Sequence, residues 1–208
     1  MANRPVPPIN LGIFTESDSH PTFFFPAHEA SDWLFSMIID PNGELYNEDH
    51  GHLIDADLAV LWAVSGFIKQ GRTIVGQAEQ VTFRCGPWQK GRQEQQMIEW
   101  FGRVPAYLIT LDASYCAQCS DADFCALIEH ELYHIAQEHD AFGAPKFTKE
   151  GMPKLCLRGH DVEEFVGVVR RYGASPDVQA LVDAANSPAE VGKLNIARAC
   201  GTCLLRSA

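Results

Sequence analysis

The chain has 208 residues, of which 46% are hydrophobic and 21% are charged, a balance typical of a folded globular protein. No segment approaches the roughly 18 consecutive apolar residues of a membrane-spanning helix, and the first residues show no signal-peptide pattern. We therefore expect a cytoplasmic protein that does not enter membranes. Acidic residues outnumber basic ones by 27 to 16. This excess argues against direct nucleic-acid binding, which needs a basic face.

The chain is predicted to divide into three parts. Residues 1–30 contain five prolines and the run Phe23-Phe24-Phe25, a composition that predicts an extended N-terminal arm. Residues 31–186 have the length and the hydrophobic content of a single domain. Residues 187–208 form a predicted C-terminal extension that carries a Cys-x-x-Cys pair.

Hydrophobic patterning predicts both helices and strands in the central part of the chain. The first predicted helix starts near residue 30 and stops before the turn Pro41-Asn42-Gly43. Further helices are predicted over 55–69, 93–101 and 176–185. Strands are predicted over 73–78, 80–85 and 106–111. The expected fold class is α+β, with helices packed against a small sheet.

The segment His130-Glu131-Leu132-Tyr133-His134 carries the strongest functional signal. Ser120 precedes it as a helix N-cap and apolar residues recur at helical spacing, so a helix is predicted over 121–138. On a helix, His130 and His134 lie one turn apart on one face, where both imidazoles can reach one metal ion. Glu131 is rotated by about 100°, a position that suits a general base in metal-assisted hydrolysis. The alternative is a pair of core histidines on an ordinary amphipathic helix.

His160 is the predicted third ligand. It follows Gly159 after a connection rich in Gly, Pro and Lys, which predicts a surface loop, and it begins a predicted helix that ends at Gly173. Three neutral imidazoles with one open position form a known type of catalytic zinc site. The rival ligands are carboxylates, because a carboxylate can also take the third position. They are Asp161, Glu163 and Glu164, of which Glu164 can instead orient a ligating imidazole.

These residues resemble a known family. The matching parts are residues 126–134, the run Gly143-Ala144-Pro145-Lys146-Phe147 and the block from Arg158 to Gly173. They resemble the putative phage metallopeptidase family and, more distantly, SprT- and Spartan-type zincins. The resemblance implies a zincin-like fold and a phage or prophage protein in the cytoplasm of a bacterial host. In zincins the strand before the motif helix is a sheet edge, so 106–111 is expected to align an extended substrate.

The resemblance also implies a mechanism. It implies Zn²⁺ held by His130, His134 and His160, with Glu131 as the general base. The motif on its helix suits hydrolysis of peptide bonds, so a protein or peptide is the expected substrate. Two other functions stay open: a non-catalytic, zinc-stabilised binding protein, and a zinc hydrolase of a non-protein substrate. An intact Glu131 favours catalysis, because a structural metal site needs no base. The residue that stabilises the oxyanion is open between Tyr133, Arg158 and Tyr172.

Seven cysteines in a chain without a signal peptide argue against a disulfide framework. Cys116 and Cys119 form one Cys-x-x-Cys pair and Cys200 and Cys203 form another, which is the spacing of a four-thiolate structural zinc site. Buried, inert thiols are the alternative. His50-Gly51-His52 is expected to make hydrogen bonds in a loop rather than to bind a second metal ion.

Overall fold

A computed structural model describes residues 4–9, 11, 23–69, 72–162 and 166–188. The strands within these residues are β1 (Phe24–Pro26), β2 (Leu58–Ala63), β3 (Phe67–Lys69), β4 (Arg72–Ile74), β5 (Gly76–Gln80), β6 (Tyr107–Asp112), β7 (Ile135–Gln137) and β8 (Leu155–Leu157). The helices are α1 (His28–Leu34), α2 (Pro87–Phe101), α3 (Ala113–Gln118), α4 (Asp121–Tyr133), α5 (Val166–Tyr172) and α6 (Pro176–Asn186). A π-helical segment (Phe35–Ile39) continues α1, and a 3-10 helix covers Glu48–Leu53. The mixed α+β class is confirmed.

Four of the strands form the central sheet, in the order β1-β2-β6-β5. β2 and β6 are parallel, with Val60 opposite Ile109, whereas β1 and β5 run antiparallel to their neighbours. β6 is therefore an interior strand, and the prediction that 106–111 is a sheet edge is wrong. The edge strand that packs against α4 is β5. Two small hairpins, β3–β4 and β7–β8, lie outside this sheet.

β2 shows why the predicted helix over 55–69 is wrong. All six residues of this strand are buried, because both faces of the sheet are covered. Val60 and Trp62 join the large core on the side of α1 and α4, whereas Ala59 and Leu61 pack near the C-terminal end of α2. A strand that is covered on both faces has a continuous apolar sequence, and such a run fits a buried helix equally well.

The other predicted elements differ from the structure mainly at their ends. The helix expected near residue 30 is α1 with its π-helical continuation, and the ones expected over 93–101 and 176–185 are α2 and α6. The run 73–78 is divided between β4 and β5, and the strand predicted over 80–85 is wrong because the chain is irregular after Gln80. Within the described ranges, no helix has both the length and the apolar character needed to cross a bilayer.

The described part of the predicted arm contacts the body of the protein. Phe24–Pro26 is a strand of the central sheet rather than a separate extension. Arg4 donates hydrogen bonds to the carbonyl oxygens of Cys116, at 2.8 Å, and Cys119, at 2.9 Å. It also forms an ion pair of 2.6 Å with Asp121. These contacts hold the start of the chain against the junction of α3 and α4. The domain boundaries at 30 and 186 stay predictions.

Candidate metal centre

Helix α4 carries the first part of the histidine motif. Ser120 Oγ accepts a hydrogen bond from Asp123 N at 3.1 Å, which is the interaction of an N-cap. The helix buries an apolar stripe that fixes its position against the sheet, made of Phe124, Leu127, Ile128 and Leu132. His130 and Glu131 lie in its last turn, and the helix ends at Tyr133. The predicted helix over 121–138 is therefore too long.

The pairing of His134 with Arg158 explains where the helix ends. His134 takes the C-cap position, with φ −69° and ψ −18°, and β7 follows directly to pair with β8. Arg158 N donates to His134 O at 2.9 Å, and His134 Nδ1 lies 2.8 Å from Arg158 O. Because a carbonyl oxygen only accepts, Nδ1 carries the proton and the lone pair of this ring is on Nε2. The main chain of Arg158 thus selects the tautomer that can bind a metal ion through Nε2.

The structure brings His160 next to the two histidines of the motif. The Nε2 atoms of His130 and His134 are 3.2 Å apart, and those of His160 and His130 are 3.3 Å apart. The potential ligand atoms of the three residues all lie within 4.8 Å of one another. Two imidazole nitrogens at about 2.0–2.1 Å from a tetrahedral zinc ion would be about 3.3 Å apart. The observed spacing therefore fits one ion. No other such group of three ligand-type side chains occurs in the part of the chain that the structure describes.

The surroundings of His160 differ from the prediction. Residues 158–162 are irregular, so His160 does not start a helix, and the described part of the next helix, α5, covers Val166–Tyr172. Gly173, with φ 89°, follows the end of α5 as expected. Asp161, the first of the rival carboxylates, forms an ion pair of 3.1 Å with Arg158. Glu163 and Glu164 lie outside the described residues, and their roles stay predictions.

Glu131 is fully buried between α4 and the edge strand β5. The close approach depends on Gly76, the first residue of β5, because a Cβ atom there would lie 2.7 Å from Glu131 Oε1. The same Cβ would lie 2.8 Å from Leu127 Cδ1. Only glycine at this position leaves room for the carboxylate in its present place. The proposed general base is thus located where the sheet edge meets the motif helix.

The three candidates for oxyanion stabilisation are held differently. The Tyr133 hydroxyl donates to Asp49 Oδ2 at 2.7 Å and accepts from Asn47 Nδ2 at 3.1 Å. Arg158 Nε donates to Tyr133 O at 2.9 Å. Tyr172, on α5, is 76% exposed. The choice between them stays open, although Arg158 is the one whose main chain contacts a histidine of the cluster.

A cleft of about 520 Å³ lies between the 3-10 helix and the β7–β8 hairpin, next to Tyr133. His50 is fully buried in its wall, with its ring edge-on to Tyr133 at a centroid distance of 4.6 Å. Burial, with a smaller contribution from His52, lowers the pKa of His50 to about 4 and outweighs the opposing effect of the Asp49 carboxylate. His52 Nε2 forms a hydrogen bond of 2.7 Å with Ile135 O. His52 therefore makes the hydrogen bond expected for this loop, whereas neither ring nitrogen of His50 has a hydrogen-bond partner among the described residues, so the expectation is wrong for His50.

Only one of the two cysteine pairs lies in the described part of the chain. Cys116 is buried near the end of α3, and Cys119 follows this helix in a half-buried position. A hydrogen bond from the Cys116 thiol lowers the pKa of Cys119, and the same bond together with burial raises the pKa of Cys116. Cys200 and Cys203 lie outside the described residues. The predicted four-thiolate site therefore stays a prediction.

Two features of the site were not predicted from the sequence. Gly76 lies in a strand whose position was predicted incorrectly, although an isolated glycine in a strand signals that another group approaches closely. The hydrogen bond between His134 and the carbonyl oxygen of Arg158 has no sequence signal, because any residue can supply a carbonyl oxygen.

A cluster of three imidazoles beside a buried glutamate defines a candidate metalloprotein. The chain belongs to the putative phage metallopeptidase family, whose model matches residues 31–186. The family resemblance in the sequence is thereby confirmed, whereas similarity to SprT-type proteins is not shown. No significant match was found among curated proteins or among solved structures.

Proposed function

We propose that this chain is a zinc-dependent peptidase with a zincin-like site, in which His130, His134 and His160 hold the metal ion and Glu131 is the general base. The observation that carries the proposal is the spacing of the three Nε2 atoms, 3.2 Å and 3.3 Å for two of the pairs. This spacing matches one tetrahedral ion. The family match supports a metal-dependent peptidase.

Zinc suits this set of ligand atoms better than the common hard cations do. Neutral imidazole nitrogens are frequent zinc ligands, whereas magnesium and calcium prefer oxygen atoms. When bound, a zinc ion supplies a Lewis acid that polarises the peptide carbonyl and lowers the pKa of water. Three protein ligands leave one tetrahedral position open, which is typical of catalytic rather than structural sites.

The side chains of the protein supply the remaining chemistry. Glu131 accepts a proton from the attacking water molecule and delivers it to the amine leaving group. Its carboxylate is buried, so bulk water does not compete for it. The hydrogen bond with Arg158 O keeps the ring of His134 in one orientation. An extended peptide can pair with the backbone of the edge strand β5, and Gly76 then places the start of this strand beside Glu131.

Replacing Glu131 with glutamine tests the proposed role. The variant should keep its metal content and lose hydrolysis of a quenched-fluorescent peptide library by about 10²–10⁴-fold, because the general base is removed. Glu99→Gln is the matched control, since Glu99 is exposed on α2. That control should keep both metal and hydrolysis.

Three outcomes would contradict the proposal. Hydrolysis retained in Glu131→Gln would remove the general-base role. Metal lost in the same variant would make Glu131 part of the binding site. A metal-loaded wild-type protein that cleaves no peptide would favour a hydrolase of a non-protein substrate or a binding protein. Phage origin and a cytoplasmic location stay predictions of the family resemblance.

A further inference from the structure

A second cavity lies on the other face of the central sheet, opposite to α4. Its volume is about 200 Å³, whereas a cavity of about 150 Å³ is enough for a benzene molecule. The cavity therefore has room for one large side chain. Ala63, Thr110, Gln77 and Glu79 line it and alternate along their strands with residues that face α4. Phe24, Phe67 and Ile74 add apolar walls.

The cavity contains two carboxylates, and only one of them is engaged. Asp112 Oδ1 accepts hydrogen bonds from Ser114 N at 2.8 Å and Tyr115 N at 3.1 Å, because it caps α3. The side chain of Glu79, at an exposed position of β5, forms neither an ion pair nor a hydrogen bond among the residues that the structure describes. Desolvation of its carboxylate by the walls of the cavity raises the pKa of Glu79. A positive charge that entered the cavity would thus meet a carboxylate that lacks a partner.

Strand β5 lies between this cavity and Glu131. Gly76 borders the cavity and also touches Glu131, on the other side of the strand. Side chains of a peptide that pairs with β5 would point alternately toward α4 and toward the cavity. Glu79 is three residues along β5 from Gly76. A substrate residue that pairs with Glu79 would therefore lie about three residues, or roughly 10 Å, from the residue beside Glu131.

We propose that Glu79 and this cavity form a subsite for a lysine or arginine side chain of an extended peptide substrate. The inference rests on the proposed peptidase function and names the class of substrate. The aliphatic stem of the side chain crosses β5 beside Gln77, and the charged end meets Glu79 at the near side of the cavity. The net charge of −11 attracts basic peptides over a longer range.

A binding experiment tests the subsite without requiring activity. The probes are fluorescein-labelled decapeptide pools with one central position fixed as Lys, Leu or Glu, and the protein is metal-loaded Glu131→Gln. Fluorescence anisotropy at low salt should show about three- to fivefold tighter binding of the Lys pool than of the Glu pool, as for an opposite-charge pair across neighbouring strands. Adding Glu79→Gln should abolish this preference, and Glu79→Lys should reverse it. Glu99→Gln in the same background should leave it intact.

Failure of the subsite and failure of the peptidase proposal can be distinguished. Equal binding of the Lys and Glu pools, or a preference that survives Glu79→Gln, would overturn the subsite. If the preference depends on Glu79 but wild-type protein cleaves none of the pools, the subsite stands and the peptidase proposal fails. If wild-type protein cleaves the Lys, Leu and Glu pools at equal rates, the peptidase proposal stands and the subsite fails.

Discussion

Replacing Gly76 with alanine tests whether the packing of β5 on α4 positions the proposed base. The added Cβ would lie 2.7 Å from Glu131 Oε1, whereas ordinary contacts begin at 3.4 Å. The carboxylate would therefore have to move by about 0.7 Å, the difference between these two distances. Leu127, whose Cδ1 would lie 2.8 Å away, limits the room for that movement because it is buried in the core.

The expected magnitudes follow from this displacement. Adding a methyl group to a well-packed site costs about 1–3 kcal/mol in the free energy of unfolding. A misplacement of about 1 Å in a catalytic group can cost on the order of 100-fold in rate. We therefore expect Gly76→Ala to fold and to keep its metal. It should hydrolyse peptides about 10–100-fold more slowly, with kcat lowered and KM little changed.

The assay combines urea unfolding, metal analysis and steady-state kinetics on the same preparation. Gly91→Ala is the matched control, because a Cβ at Gly91 of α2 meets nothing within 4 Å. In a helix this control should be neutral or stabilising by up to about 1 kcal/mol. Wild-type kcat in Gly76→Ala would refute the reasoning. A loss of metal in this variant would show that Gly76 supports the fold of the site rather than the position of Glu131.

Two further substitutions test the helix and the wall of the cleft. Ser120→Ala removes the N-cap of α4 and should lower the free energy of unfolding by about 1 kcal/mol in urea denaturation; an unchanged value would mean that the cap at Asp123 N contributes nothing. His50 has a folded-state pKa of about 4 against an ordinary value of 6.5, so the unfolded chain takes up the proton first as the pH falls. The stability that neutral His50 contributes is complete above pH 6.5 and should fall by roughly 3 kcal/mol as the pH is lowered to about 4. His50→Phe should flatten that pH dependence, and an unchanged slope would contradict the assignment to His50.

The sequence predicted that the two motif histidines lie together because helical spacing relates nearby residues, while their roles as metal ligands stay predictions. The buried stripe of α4 and the shared face of His130 and His134 follow from the period of 3.6 residues. Ser120 was recognised by the preference for serine at the N-cap. His160 was also predicted, since a histidine after a loop and Gly159 is one of few available third ligands. The course of the chain around His160 was not predicted, because it depends on the pairing of β8 with β7, which is a non-local contact.

The topology of the sheet was predicted less well, for a related reason. A strand buried on both faces, such as β2, has no alternation of polar and apolar residues to identify it. Which strand lies at the edge depends on the order β1-β2-β6-β5, and chain order does not give it. The contact of Gly76 with Glu131 depends on that order, so the importance of Gly76 could be recognised only in the folded chain.

The central claim is that His130, His134 and His160 hold one metal ion. The most direct test is the metal content of protein purified without added metal, with wild type measured beside His160→Ala and the control His28→Ala, whose residue is exposed on α1. We predict one zinc ion per chain in wild type and in the control, and its loss in His160→Ala. Two zinc ions with one retained in His160→Ala would place the second at the cysteine pairs and leave the claim intact. Metal-free wild-type protein, or one zinc ion unaffected by His160→Ala, would contradict the three-histidine centre.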